Sequence, residues 1–147
     1  MEPSPRSSGA VRTFTLEEAN DLLPHVAEKM DNVMFLNGRI KSLTSDIENL
    51  VSIWGNDVLH KDHIDSDFYF GRVSEREESF KELVKKINEV QSLGCVVKDP
   101  DSGLVDFYYN NNGELIFLCW KYGEDRINFW HEVNDGYKNR KPVKDLK

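Results

Sequence analysis

The chain has 147 residues, 39% hydrophobic and 31% charged, with a formal net charge of -7. That length suits one domain with a real core, and the balance describes a globular chain, neither disordered nor membrane-embedded. The acidic excess excludes a basic phosphate-binding footprint, so nucleic acid is not expected as a partner.

No apolar run approaches the roughly 20 residues that a bilayer span needs, and no membrane partner is expected. The first residues, Met1 to Gly9, lack the apolar core of a signal peptide, and residues 1–12 read as a flexible leader. Two cysteines do not make a disulfide framework, which points to a reducing, cytoplasmic setting.

Order begins near Arg12. Thr15-Leu-Glu-Glu18 is a capping-box signature, and an acidic first turn suits the positive end of a helix. Apolar residues recur at Ala19, Leu22, Leu23, Val26, Met30 and Val33, then from Leu36 to Trp54, at spacings of three and four. This predicts one long helix over 14–54. Pro24 lacks the amide that would bond the Asn20 carbonyl and is expected to bend its first turns.

Between 55 and 73 the period disappears, and a connector is expected. Ser74-Glu-Arg-Glu77 is a second capping box. It opens a predicted helix over 74–94 with Phe80, Leu83, Val84, Ile87 and Val90 as its stripe and Gly94 as its terminator. Two such helices should form an antiparallel hairpin, whose stripes need a further cover.

A β-meander of three to four strands over 95–132 supplies that cover. Cys95 to Lys98 reads as a short strand, and Asp99-Pro-Asp-Ser-Gly103 as a turn. Leu104 to Tyr109 and Glu114 to Trp120 flank the hairpin signal Asn110-Asn-Asn-Gly113, and Ile127 to Glu132 is a fourth strand. The expected fold is therefore α+β: a long antiparallel helical hairpin on a small antiparallel sheet, one domain over 13–142, with a tail at 143–147.

Several separated islands match a known pattern in order. They are Phe14-Thr-Leu-Glu-Glu-Ala-Asn20 with Leu22-Leu-Pro24, Val97-Lys-Asp99, Gly103-Leu-Val-Asp-Phe107, Leu118-Cys-Trp120, Gly123-Glu124, Trp130-His-Glu132, Gly136 and Arg140. Over Thr13 to Pro142 the chain resembles the prokaryotic domain-of-unknown-function 2203 family. The resemblance implies a small single-domain cytosolic protein and carries no activity with it.

The chemistry-bearing residues concentrate in the β region. Trp130-His131-Glu132 invites comparison with the zinc-protease motif, but the second His required one helical turn later is Asp135, and the segment reads as strand. The plain reading bonds His131 to a strand neighbour or a carboxylate and puts Trp130 in the core. A looser divalent-metal site would use His131, Glu132 and Asp106, or Glu124, because imidazole with carboxylates suits such ions. In strand alternation Asp106 shares a half-apolar face with Leu104 and Tyr108, so it needs a partner such as His131, Arg140 or an amide.

Cys119 alternates with Leu115 and Phe117 and, like Cys95, reads as a buried structural thiol; a Cys119–His131 dyad is the sharper alternative. In the connector, His60-Lys-Asp-His63 and Asp65-Ser-Asp67 lack the glycine and terminal Glu of a calcium loop and read as solvated. Phe68-Tyr69-Phe70 is expected to close over the core, with a contact patch as the alternative. Arg140 either clamps an anionic ligand or pairs with Asp106 or Glu132. No phosphate-binding loop, dinucleotide fingerprint or Ser-His-Asp pattern is present.

Three readings of function follow. The first is a non-catalytic binding or interaction module with a polar-aromatic pocket of Asp106, Trp120, Glu124, Trp130, His131, Glu132 and Arg140, taking a small-molecule or protein partner. The second is an enzyme using His131 and carboxylates for acid–base or divalent-metal chemistry. The third is a homodimer associating through the long helix. No cofactor is predicted by the first reading; a divalent metal belongs to the second.

Overall fold

A computed structural model describes residues 11–146. The architecture is α+β: helix α1 spans Leu16–Trp54 and helix α2 spans Ser66–Gln91, followed by strands β1 Val96–Asp99, β2 Leu104–Asn111, β3 Glu114–Lys121, β4 Phe129–Glu132 and β5 Lys141–Pro142. The sheet order is β1-β2-β3-β4-β5, antiparallel throughout. It is a five-stranded meander, one strand more than the alternation signalled, because Lys141–Pro142 is too short to show any period. The leader expected over 1–12 lies mostly outside the described residues. No helix is long and apolar enough to cross a membrane among the described residues.

The capping box at Thr15 is formed: the Glu18 amide donates to Thr15 Oγ1 at 3.0 Å, and the Thr15 amide donates to Glu18 Oε1 at 2.8 Å. From there α1 runs unbroken through Pro24. Ala19, Leu23, Val26, Met30 and Val33 are buried together with Val105, Phe107, Leu118 and Trp120 of the sheet. Spacings of four and three keep these helix residues on one stripe, and period-2 alternation keeps the strand residues on one face. Leu43, Ile47, Leu50 and Val58 are buried farther along the hairpin, apart from that cluster.

Helix α2 begins at Ser66, eight residues before the expected start, so Ser74-Glu-Arg-Glu77 lies inside it and caps nothing. The connector is correspondingly shorter and is ordered by a small network. Trp54 Nε1 donates to Asp65 Oδ2 at 2.9 Å, and the Asp65 amide donates to His63 Nδ1 at 3.0 Å. The carboxylate at the N-cap is thus engaged by α1 rather than by its own helix. The helix start is a tertiary contact, invisible to a local signature. Phe68 and Phe70 are exposed on the new first turns and do not close the core. Phe80 and Val84 are exposed too, so Leu83, Ile87 and Val90 carry the contact with the core.

Two turns set the sheet register. Asn112 and Gly113 both have positive φ (55° and 96°), as a two-residue type I′ hairpin turn requires, and the Gly113 amide donates to Asn110 Oδ1 at 2.7 Å. At the β1–β2 turn, Asp99 accepts from the Asp101 amide at 2.9 Å and from Ser102 Oγ at 2.7 Å. These bonds hold the Asp99 carboxyl below its ordinary range. Beyond the end of β1 the edge of β2 is covered by the chain entering α1, where the Phe14 amide donates to the Tyr108 carbonyl at 2.8 Å.

Candidate functional site

The hairpin covers only one face of the sheet. On the other face, β2 presents Asp106, β3 presents Phe117 and Cys119, and β4 presents His131, because Asp106 stands opposite Cys119 and Phe117 opposite His131 in the ladder. No helix among the described residues covers this face, yet Asp106, Cys119 and His131 are 1%, 1% and 3% exposed. Their cover is the return of the chain from β4 to β5. Tyr137 lies under the Lys121 ammonium, and the Arg140 guanidinium stacks 4.2 Å from the rings of both Phe129 and Tyr137.

The centre of this layer is a buried ion pair. His131 Nε2 lies 2.9 Å from Asp106 Oδ2, and His131 Nδ1 lies 2.8 Å from the Glu132 carbonyl oxygen. A carbonyl can only accept, so Nδ1 carries a proton and donates; a carboxylate also accepts, so Nε2 donates as well. With Asp106 as a carboxylate, the network pairs it with an imidazolium. Burial by itself would lower the His131 pKa, but the hydrogen bonds to Asp106 and Glu132, with the Asp106 charge, raise it above the ordinary value.

Asp106 is only half satisfied. Its Oδ1 is buried and has no hydrogen-bond partner among the described residues. Such an atom costs about 1–3 kcal/mol when nothing bonds it. The Asp106 side chain lines a cavity of about 180 Å³ together with Lys98, Cys119, His131, Asp135 and Tyr137. Burial, and after it the neighbouring Asp106 carboxylate, push the Cys119 thiol up to about 12 against the pull of Arg140. Cys95 is a separate matter: its thiol donates to the Val90 carbonyl at 3.4 Å, and burial pushes it to about 12 as well.

The seven residues expected to build one pocket fall into distinct places. Asp106 and His131 meet as described. Trp120 and Trp130 face the opposite, helix-covered side and pack against the core. Trp120 Nε1 donates to the Glu124 carbonyl at 2.9 Å. The Glu124 carboxylate in turn accepts from the Lys121 amide at 2.8 Å and from Arg140 Nη1 at 3.1 Å, tying the β3–β4 turn to the returning chain. Arg140 thus bridges Glu124, not Asp106 or Glu132. Glu132 is exposed and pairs with Lys141 at 3.0 Å, because alternation sends it to the face opposite His131.

Cys119 replaces Glu132 beside the pair. The signal was present in the sequence: equal counting back from Asn112-Gly113 puts Cys119 opposite Asp106. Lys98, Asp135 and Tyr137 had no such signal, since an irregular register in β1 and a non-repetitive loop place them. In the connector, the His63 ring stacks edge-on at 4.6 Å against Trp54, a structural role.

Fold and site together define a class: an α+β protein with a helical hairpin on one sheet face and a buried Asp–His pair, flanked by a thiol, under a cavity on the other. The chain belongs to the family described as "Uncharacterized conserved protein (DUF2203)", whose family model matches residues 12–143. No curated protein and no solved structure matches the chain.

Proposed function

We propose that the protein is a small binding module whose ligand seats in the cavity over Asp106 and His131. The observation that carries this reading is Asp106 Oδ1, a buried carboxylate oxygen without a hydrogen-bond partner among the described residues, in a side chain that lines a cavity. Leaving this oxygen unbonded opposes folding, and holding the sheet together does not require it. A ligand that brings a cation or a hydrogen-bond donor relieves that cost on binding. Lys98, Asp135 and Tyr137 on the rim offer both charges and an aromatic surface, the composition of a recognition site.

Binding is favoured over acid–base catalysis by the direction of His131. Its Nε2 is occupied by Asp106 and its Nδ1 by the backbone, so neither nitrogen is free to exchange a proton with a substrate in the cavity. The test is native mass spectrometry of protein purified without chelators, beside Asp106→Asn, which keeps the shape and removes the charge. An added mass on the parent chain, absent from the variant, is expected. A bare mass for the parent, or the same adduct on both, would overturn the reading.

A further inference from the structure

We infer that the ligand of this cavity is a divalent transition metal ion of the zinc type, held by Asp106, Cys119 and His131; this rests on the binding reading above and names its chemistry. One ligand atom from each of the three side chains lies within 4.8 Å of the other two. Donors around one tetrahedral ion stand roughly 3.3–3.8 Å apart, so small side-chain rotations bring these three into register. All three sit on adjacent, hydrogen-bonded strands, which hold them better than loops would.

Three further features fit a metal. The His131 Nδ1–H is already bonded to the Glu132 carbonyl, the outer-sphere contact that fixes a metal-bound imidazole with Nε2 toward the ion. The unpartnered Asp106 Oδ1, in a residue 1% exposed, supplies a carboxylate oxygen that no donor among the described residues claims. The donor set of one sulfur, one nitrogen and one oxygen selects zinc-like ions and disfavours calcium and magnesium, which demand oxygen. Three protein donors leave the fourth position to the cavity, where Asp135 stands on the wall. On binding, the ion takes the places of the Nε2 proton and the Cys119 thiol proton, and both protons leave to solvent.

The test adds Co²⁺, and Zn²⁺ in competition with a chromogenic chelator, to chelator-treated full-length protein. Tetrahedral cobalt bands in the visible and a thiolate-to-cobalt band in the near ultraviolet are expected. Cys119→Ser should abolish the thiolate band and weaken Zn²⁺ at least tenfold, as should His131→Gln, while Cys95→Ser leaves both unchanged. Absence of cobalt bands in the parent protein would overturn the inference without requiring any variant to fold, and a thiolate band that survives in folded Cys119→Ser protein would overturn it too. If the parent takes no Co²⁺ yet carries an Asp106-dependent adduct in native mass spectrometry, the metal fails and the binding reading stands. If neither is seen, both fail.

Discussion

His131 is held by two acceptors at once, and that arrangement makes it sensitive to both truncation and pH. Removing the ring in His131→Ala leaves Asp106 buried and unpaired, a change that costs about 3–5 kcal/mol when one partner of a buried pair is lost. The urea midpoint should fall accordingly; a loss under about 1 kcal/mol would show that Asp106 finds water or another donor. Because the folded ring binds its proton more tightly than the free side chain with its value of 6.5, the pair stabilises the fold fully below that value. The contribution disappears as pH rises through the raised folded pKa. Urea midpoints of metal-free protein should therefore decline with pH above about 6.5, and the decline should flatten in Asp106→Asn. A parallel slope in the variant would assign the pH dependence elsewhere. At this scale the sequence was legible in part. It said that Asp106 needed a partner and offered His131, but the orphaned Oδ1 depends on side-chain angles that no spacing encodes.

Elements are set by local chemistry where their ends are self-contained and by tertiary contact where they are not. The Thr15 box satisfies its own helix, and α1 was readable nearly to the residue; Thr15→Ala should cost about 1 kcal/mol in thermal or urea unfolding. The start of α2 was not readable, because the Asp65 carboxylate answers to Trp54 across the loop. The turns were readable for the same reason as α1. Gly103 has φ +77°, and a Cβ there would lie 2.5 Å from Tyr122 Cβ and 2.9 Å from Met34 Sδ. Gly113 has φ +96° and open space around it. Gly103→Ala should therefore cost about 2–4 kcal/mol, conformation plus overlap, and Gly113→Ala about 1–2 kcal/mol, conformation alone. Equal losses in calorimetry would mean that Tyr122 and Met34 yield freely.

The whole molecule joins a long hairpin to a shorter sheet. At 1.5 Å per residue α1 is about 58 Å long, whereas an eight-residue strand covers about 27 Å. The cluster around Met30 and Phe107 therefore draws on both layers, while Leu43, Ile47, Leu50 and Val58 are buried beyond it. Amide exchange should be slowest in β2, β3 and the α1 segment from Ala19 to Val33, and faster from Leu43 to Val58. Uniform protection measured by mass spectrometry would mean that the two regions open as one. The layer order followed from hydrophobic periodicity, because helices and strands with one apolar face can bury it only against each other. The occupied outer face did not follow, since its cover is an irregular return loop.

The sheet also ends in a particular way. Its two border strands are β1, four residues long with irregular pairing around the exposed Lys98, and β5, two residues long and ending in Pro142, which has no amide to donate. Short, charged or proline-bearing borders offer no continuous row of free donors and acceptors for another chain to zip onto. The meander thus resists growing into a larger sheet with its neighbours in a crowded solution. It can keep five strands adjacent without inviting fibril-like aggregation.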